Sequence, residues 1–273
     1  MSTTFRAWDD YFIPGTTVLR NKFGAVDAAD LAAKEEFAAQ VRLVELAADP
    51  VRGRFDYDHM KEIHRRIFQD VYEWAGQQRV GPDGRMSKSG PDIVNFAVGD
   101  PAAPTVPYGY YPGPQVADAA EAEYRKLADA NYLTGLGRTD FVDQMAERWA
   151  ELNVVHSFRE GNTRAQFVFF HQLAEHAGYV LDTAPFQLGE PLRDQFVAAR
   201  FYSQATGRSD RLGQVLGEAV TPLPSTLPAR ATSYPMAITE ALRASAATES
   251  PQPRPQPSSS TPAPRRDRAH GRD

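Results

Sequence analysis

The spacing of apolar residues is the feature that most restricts the fold of this chain. Through most of the first 220 residues, apolar side chains recur every three or four positions, and few stretches alternate in the manner of a β-strand. An interval of three or four places these side chains on one face of an α-helix. The segments with this pattern are 26–49, 57–76, 116–133, 139–156, 163–179, 190–204 and 210–220. We therefore predict an all-α domain that ends near Val220.

Two of these segments carry specific expectations about packing. In the first, Leu31, Phe37, Val41 and the residues from Leu43 to Leu46 recur at helical spacing, and alanine fills the gaps. In the second, the apolar stripe continues to Trp74, and Gly76 follows as a residue type that commonly ends helices. The sequence thus predicts one long helix that continues to Gly76.

The composition excludes several classes of protein. With 273 residues, 42% of them hydrophobic, the chain can bury one good-sized core. Its net charge of -5 argues against a general affinity for nucleic acid or anionic membranes, and the absence of cysteine excludes disulfides. No apolar run approaches the roughly 20 residues of a membrane helix, and the N-terminus lacks the pattern of a secretory signal. We expect a cytoplasmic protein without a direct nucleic-acid or membrane partner.

Residues 77–115 differ from the helical segments because they are crowded with glycine and proline, which excludes a long helix. A loop of this length inside a compact domain is uncommon and is usually functional or disordered. Short extended pieces such as DIVNFAV, at residues 92–98, are candidates for the strands of a hairpin.

The composition changes again at Thr221, where proline, serine, alanine and arginine become dominant. Such a stretch has few side chains that could anchor it to a core and is typical of disorder. A weak helical pattern survives at residues 236–247. We therefore divide the chain into a domain of residues 1–220 and a largely disordered tail of residues 221–273.

The densest chemistry of the sequence lies in the stretch HSFREGNTR, between two predicted helices. His156 ends the first helix on its buried face, and the second helix begins around Thr163, a residue type that caps helix starts well. Gly161 permits a backbone conformation that other residues resist. The N–H groups from Gly161 onward then point outward at a helix N-terminus, where partial positive charge favours anions, and Arg164 adds a full charge.

Glu160 lies among these donors, and a carboxylate beside an anion site repels the ligand unless a cation lies between them. Mg²⁺ fits this place, because it commonly takes one or two carboxylates together with phosphate oxygens. His156 can then act as a base toward an attacking hydroxyl, since its ordinary pKa of about 6.5 suits that task. Singly, such residues are more often a core histidine and a surface ion pair. Together in one loop, they favour transfer of a phosphate-containing group from a Mg-nucleotide.

The same stretch resembles the motif of Fic-domain proteins, H-x-F-x-(D/E)-G-N-x-R, and all six fixed positions are met. Residues 67–79, IFQDVYEWAGQQR, are similar to the segment that precedes the flap of these proteins, and the resemblance extends over roughly residues 11–205. It implies a Fic-type helical bundle with a short β-hairpin flap. Most characterised members transfer AMP from ATP to a hydroxyl side chain of a target protein, using Mg²⁺.

The resemblance also implies a role for each motif position. His156 would deprotonate the tyrosine, serine or threonine of the target, and Glu160 would hold Mg²⁺. The residues that would bind the phosphates of the nucleotide are Gly161, Asn162, Thr163 and Arg164. The flap would pair with the target backbone by strand addition. The best candidate for this flap lies within residues 86–96. Its candidate target-docking residues are Lys88, Ile93 and Phe96, and either of the last two could cover the site.

Two positions depart from the usual continuation of the motif, G-R-x-x-R. Thr163 replaces the glycine, and Phe167 replaces the second arginine, which in the family usually grips the γ-phosphate of ATP. The replacement removes a charge-assisted contact worth about 1.5–3 kcal/mol, so a donor other than ATP becomes more plausible. The chain also lacks a full copy of the family's inhibitory motif, (S/T)-x-x-x-(E/D)-G-N, so silencing would fall to a separate antitoxin or to another device.

Our interpretation is a protein AMP-transferase that uses ATP and Mg²⁺. A Fic-fold phosphotransferase, the use of another nucleotide donor and a non-catalytic binding module remain open alternatives. The simplest setting is a toxin-like enzyme in the bacterial cytoplasm, and the alternative is an effector translocated into another cell.

Overall fold

The fold is predominantly helical, as predicted from the sequence. The computed structural model describes residues 4–84, 86–187 and 189–224. Its helices are α1 (Ala28–Ala48), α2 (Tyr57–Phe68), α3 (Val116–Asp129), α4 (Arg138–Val155), α5 (Asn162–His176), α6 (Pro191–Thr206) and α7 (Asp210–Ala219). Two small antiparallel sheets pair β1 (Met86–Pro91) with β2 (Thr105–Tyr110), and β3 (Tyr179–Leu181) with β4 (Val220–Pro222). The helix predicted at residues 236–247 lies outside the described residues.

Helix α5 forms the centre of the domain. Every residue from Asn162 to Ala174 is buried, and α2, α4 and β3 pack around this helix. A helix that is enclosed on all sides needs no polar face, which explains why its sequence is apolar beyond the single face of Phe167, Phe170 and Ala174. The residues that directly follow the candidate site therefore belong to the most rigid part of the molecule.

Helix α1 divides the predicted apolar residues. Leu31 and Leu43 are buried, whereas Phe37 is 71% exposed and Val41 is 44% exposed. The buried row also contains the charged residue Glu35. Apolar spacing did not reveal this member of the row, because the partner of Glu35 lies elsewhere in the fold, as described below.

Helix α2 is shorter than predicted, because it ends at Phe68 and irregular turns follow it. Trp74 is nonetheless buried. The apolar pattern therefore predicted the burial of this residue correctly, but its prediction of the helix length was wrong. Gly76 does not end the helix. It adopts a left-handed conformation with a φ of 80°, and a side chain there would collide with Arg65, 2.7 Å from its Cβ atom. Its N–H donates to Nδ1 of His64 at 2.9 Å.

The flap exists as a hairpin, and β1 lies within the predicted range 86–96, but residues 92–98 do not form a strand. Lys88 of β1 lies opposite Tyr108 of β2. Residues 92–98 are part of the connection between the strands instead of forming a strand. The carboxylate of Asp92 explains this difference, since it accepts the N–H groups of the residues two and three positions later, each at 3.1 Å, and so turns the chain.

The second sheet was not predicted. Val220 belongs to β4 and pairs with Leu181 of β3, just after α5, so the last described residues return to the helical core. Periodicity alone does not reveal such three-residue strands. Within the residues that the structure describes, none of the helices has the length and apolar character needed to cross a membrane.

Candidate active site

His156 lies immediately after the end of α4, in a left-handed conformation with φ and ψ of 51° and 61°. Its ring is 3% exposed and packs against Tyr110 of β2, with 4.5 Å between the ring centroids. A non-glycine residue in this conformation is uncommon and is often found where function requires it. The structure thus places the predicted base at the junction of α4, α5 and the flap, beneath Tyr110.

The surroundings of His156 favour its neutral form. Burial lowers the pKa of the imidazole well below its ordinary value, and the positive charges of Lys88, Arg79 and Arg200 act in the same direction. A hydrogen bond from the ring to the backbone carbonyl of Asn153 opposes this shift of the pKa. A histidine that is neutral at neutral pH can accept a proton, which is what a general base requires.

Arg79 joins the flap to the end of α4. Its guanidinium donates to the carbonyl oxygens of His156 and Tyr111, both at 2.6 Å, and to that of Gly81 at 2.5 Å. A further bond reaches the carbonyl of Val155 at 3.3 Å. Arg79 therefore satisfies carbonyls that α4 leaves without partners at its end and holds the base of the hairpin beside them. This role could not be predicted from the sequence, since the bonds link segments far apart in the chain.

The loop after His156 is closed by the side chain of Asn162. Its amide accepts from the N–H of Phe158 at 2.8 Å and donates to the carbonyl of the same residue at 2.7 Å. The Phe158 ring stacks on His64 of α2, with 3.8 Å between centroids. Asn162 thus shapes the loop with its side chain, and only its backbone N–H remains for a ligand.

Helix α5 starts one residue earlier than predicted and without a side-chain cap. Gly161 is the N-cap, in a left-handed conformation with a φ of 78°, and a Cβ atom there would overlap the Phe68 ring. Thr163 is therefore not the cap and lies inside the first turn. The first intrahelical bond runs from Ala165 N–H to the Gly161 carbonyl, at 3.1 Å. The N–H groups of Asn162, Thr163 and Arg164 precede that bond and have no partner within the helix, so this helix N-terminus is suited to an anion.

Glu160 is suited to hold a metal ion together with a ligand. One oxygen of its carboxylate accepts from the Gly161 N–H at 2.9 Å and lies 3.9 Å from Arg164, and the side chain is partly accessible. Its backbone carbonyl accepts from His64 at 2.9 Å, which fixes the position of the residue. The described residues contain no cluster of three or more metal-binding side chains. A Mg²⁺ ion here would therefore rely on Glu160, water and phosphate oxygens, a ligand set that Mg²⁺ commonly takes.

Arg164, predicted to bind phosphate, forms a buried ion pair with Glu35 of α1. Tyr72 donates to the other oxygen of the same carboxylate, and the guanidinium of Arg164 lies over the Phe68 ring, 4.5 Å from its centroid. Glu35 was not identified from the sequence as part of the site. The pair holds Arg164 in the first turn of α5 and uses one terminal nitrogen of its guanidinium.

Phe167 is enclosed by aromatic side chains. Its ring centroid lies 5.0 Å from that of Trp149, 5.1 Å from that of Phe196 and 5.4 Å from that of Phe186. The position that carries the second arginine in the common family motif is thus part of the hydrophobic core in this chain.

The three predicted flap residues lie in different environments. Lys88 approaches the site, since its Nζ atom lies 5.6 Å from the Tyr110 ring centroid and its charge acts on His156. Burial lowers the pKa of Lys88 to about 7, and the negative charge of Glu160 opposes this shift.

Ile93 instead packs with Tyr108 and α6, and its carbonyl accepts from Arg211 at 2.8 Å, so it anchors the flap. Phe96 is partly exposed in the connection between the strands. Tyr110, which the sequence did not reveal, contacts the base. The role of the three predicted residues in docking a target stays a prediction.

Comparison with known proteins relates this site to established families. A model described as the Fic/DOC family matches residues 54–174. The protein adenylyltransferase VbhT of Bartonella schoenbuchensis is 36% identical over 64% of this chain, which corresponds to 32% of VbhT. The probable protein adenylyltransferase Fic of Salmonella typhimurium is 34% identical over 63% of this chain and 76% of its own length. The chain therefore spans about a third of the first relative and about three quarters of the second.

A solved structure extends the likeness to the three-dimensional fold. BepC, a VirB-translocated effector protein of Bartonella tribocorum crystallised with AMPPNP, matches 79% of this chain and 98% of its own with a TM-score of 0.64. At 23% sequence identity, this likeness shows a shared fold.

Proposed function

The chain belongs to the Fic/DOC family, and from this premise we propose that it is a nucleotidyltransferase that moves AMP from Mg-ATP to a tyrosine, serine or threonine hydroxyl of a target protein. The observation that carries this proposal is the position of a buried, neutral His156 beside the N-terminus of α5. The names of the two adenylyltransferase relatives support the same activity.

The residues of the site support a specific division of tasks. His156 accepts the proton of the target hydroxyl. The hydroxyl oxygen forms a bond to the α-phosphorus of ATP, and the bond between that phosphorus and the leaving pyrophosphate breaks. The N–H groups at the start of α5 stabilise the negative charge on the phosphate oxygens. Glu160 would hold Mg²⁺, which supplies further positive charge to the phosphates when it is bound.

The proposal is tested by intact-mass measurement of the full chain and of a host lysate, after incubation with Mg²⁺ and each nucleoside triphosphate in turn. We expect an adenylyl adduct with ATP, on the chain itself or on a target, and none with His156→Ala. A different nucleotidyl adduct would change the donor, and a bare phosphate adduct would favour a phosphotransferase. Binding of nucleotide without any adduct would contradict transfer and favour a binding module.

Magnesium dependence is a separate part of the proposal and has its own test. Omission of Mg²⁺ should strongly reduce the amount of adduct, and so should the Glu160→Gln substitution. In both cases the phosphates would lose the positive charge that a bound cation supplies. Full activity in the presence of a chelator would contradict a metal at Glu160.

The partner and the cellular setting are also proposals. A separate antitoxin would restrain the enzyme, since the sequence has no full copy of the family's inhibitory motif. The protein would then act as a bacterial toxin-like enzyme, in the cytoplasm or after translocation into another cell, as described for BepC. Transfer by the purified chain alone would support an external inhibitor. An inert chain that becomes active when residues are removed from its own termini would contradict it.

A further inference from the structure

Arg200 of α6 is a buried cation for which no part of the established motif accounts. It is 9% exposed, and both its Nε and one terminal nitrogen donate to the side-chain oxygen of Asn153, the former at 3.0 Å. No carboxylate in residues 4–84, 86–187 or 189–224 forms an ion pair with it. Burial lowers its pKa to about 10, so the guanidinium remains charged at neutral pH. A buried charge that bonds to a neutral amide and has no carboxylate partner among these residues is costly for the folded protein.

Arg200 is held near the end of α4 that carries His156, because it donates to Asn153, three residues before His156. The positive charge of Arg200 contributes to the lowered pKa of His156, after burial and the charges of Lys88 and Arg79. Tyr110 contacts the His156 ring from the flap. Lys88 of the flap and Arg200 of α6 are therefore two cations whose charges act on His156.

Arg200 also adjoins the place of the missing arginine. Its Cζ atom lies 5.4 Å from the centroid of Phe196, one turn earlier on α6, and the Phe196 ring contacts Phe167 at 5.1 Å. Helix α4 runs beside α6 in the same direction. Trp149 of α4 contacts Phe196 of α6, and one turn later Asn153 contacts Arg200. The guanidinium thus lies at the edge of the aromatic cluster that is closest to His156.

We propose that Arg200 binds a phosphate of the donor nucleotide beyond the transferred one, and so supplies from α6 the cation that Phe167 cannot supply from α5. The ligand class is a nucleoside di- or triphosphate. A guanidinium suits this task because its N–H groups can bond two phosphate oxygens at once, and the energy lost on burial of the charge is recovered when the anion binds. This inference rests on the proposed function and assigns one contact within it.

Equilibrium binding of non-transferable nucleotides to the full chain tests the inference. The probes are the α,β-methylene analogues of ATP and ADP, which cannot release their leaving group, and AMP, all with Mg²⁺. Arg200→Met should weaken the two analogues about tenfold to a hundredfold, the range for one charge-assisted contact, and leave AMP within about twofold. Arg200→Lys should recover part of the loss. Arg208→Ala is the matched control, since Arg208 is exposed just after α6 and pairs with Asp210 at 3.0 Å.

A stability measurement separates this role from a structural one. Without nucleotide, Arg200→Met should be at least as stable to urea as the wild type, because a buried charge without a carboxylate partner has been removed. A strongly destabilised variant would mark a structural arginine and would overturn the inference. Unchanged affinity of Arg200→Met for both analogues would also overturn the inference. This holds even if Arg200→Met no longer modifies a target. If the wild type binds none of the nucleotides, the proposed function fails as well, whereas tight binding that is insensitive to Arg200 contradicts the inference alone.

Discussion

At the scale of single residues, Phe167 shows how one substitution changes the surroundings of the site while the core remains intact. Its ring completes a cluster with Trp149, Phe186 and Phe196, all of them buried. A charged side chain at this position would have to occupy the same apolar space. The family's arginine is therefore incompatible with the neighbours that this chain has built around position 167.

We expect Phe167→Arg to destabilise the protein by about 3 kcal/mol, because a guanidinium would be buried without a carboxylate partner. Phe167→Leu, which keeps the site apolar and loses part of the ring volume, should cost about 1 kcal/mol. Urea unfolding of both variants and the wild type measures the difference. Equal stability of Phe167→Arg and the wild type would show that the side chain at this position reaches solvent and that the aromatic cluster is not closed.

At the scale of secondary-structure elements, the pair of Glu35 and Arg164 connects α1 to the first turn of α5. Both side chains are almost fully buried, and Tyr72 satisfies the second carboxylate oxygen. Removal of one partner from a buried ion pair leaves an uncompensated charge, which costs more than the pair itself contributes. The position of α1 therefore depends on a residue of the catalytic motif.

Glu35→Gln should lower the free energy of unfolding by about 3 kcal/mol for this reason. The control is Glu45→Gln on the same helix, where an exposed carboxylate pairs with Arg42 at 2.7 Å. An exposed pair of this kind contributes at most about 1 kcal/mol. Chemical denaturation at neutral pH gives both values, and a cost for Glu35→Gln no larger than that of the control would contradict the role assigned to the buried pair.

The same helices show what could and could not be predicted from the sequence. Helix positions follow from local spacing, and the motif placed His156 and Glu160 beside one helix N-terminus because these residues are neighbours in the chain. Glu35, Arg79 and Arg200 escaped notice, because each acts through contacts with residues that are distant in sequence. The strand suggested at residues 92–98 was wrong for a local reason, since the turn at Asp92 depends on side-chain hydrogen bonds that hydrophobic patterns do not report.

At the scale of the whole molecule, buried histidines make stability depend on pH. His64 lies between α2 and the catalytic loop, accepts from the Gly76 N–H through Nδ1 and therefore donates to the Glu160 carbonyl through Nε2. Burial lowers its pKa to about 3, and burial lowers the pKa of His59 and His156 as well. As the pH falls, these histidines bind protons in the unfolded chain at a higher pH than in the folded protein. Their contribution to the free energy of unfolding is therefore complete above about pH 6.5 and is lost as the pH falls below that value.

We expect the free energy of unfolding to fall between pH 7.5 and 5.5, with His64 alone accounting for about 1.4 kcal/mol. Urea titrations across this range measure the loss, and most carboxylates do not yet titrate there. His64→Gln should show a correspondingly smaller loss over the same interval, whatever its stability at pH 7.5. Equal pH dependence of the variant and the wild type would mean that the pKa of His64 is the same in the folded and the unfolded chain.

Arg79 has a consequence for the order of events in a catalytic cycle. A single guanidinium bonds both the base of the hairpin and the carbonyl of His156. In the proposed reaction, a movement of the hairpin base that let a modified target leave would also break the bonds that hold the His156 backbone. Departure of the product and loss of the position of the proposed base would then be linked in time.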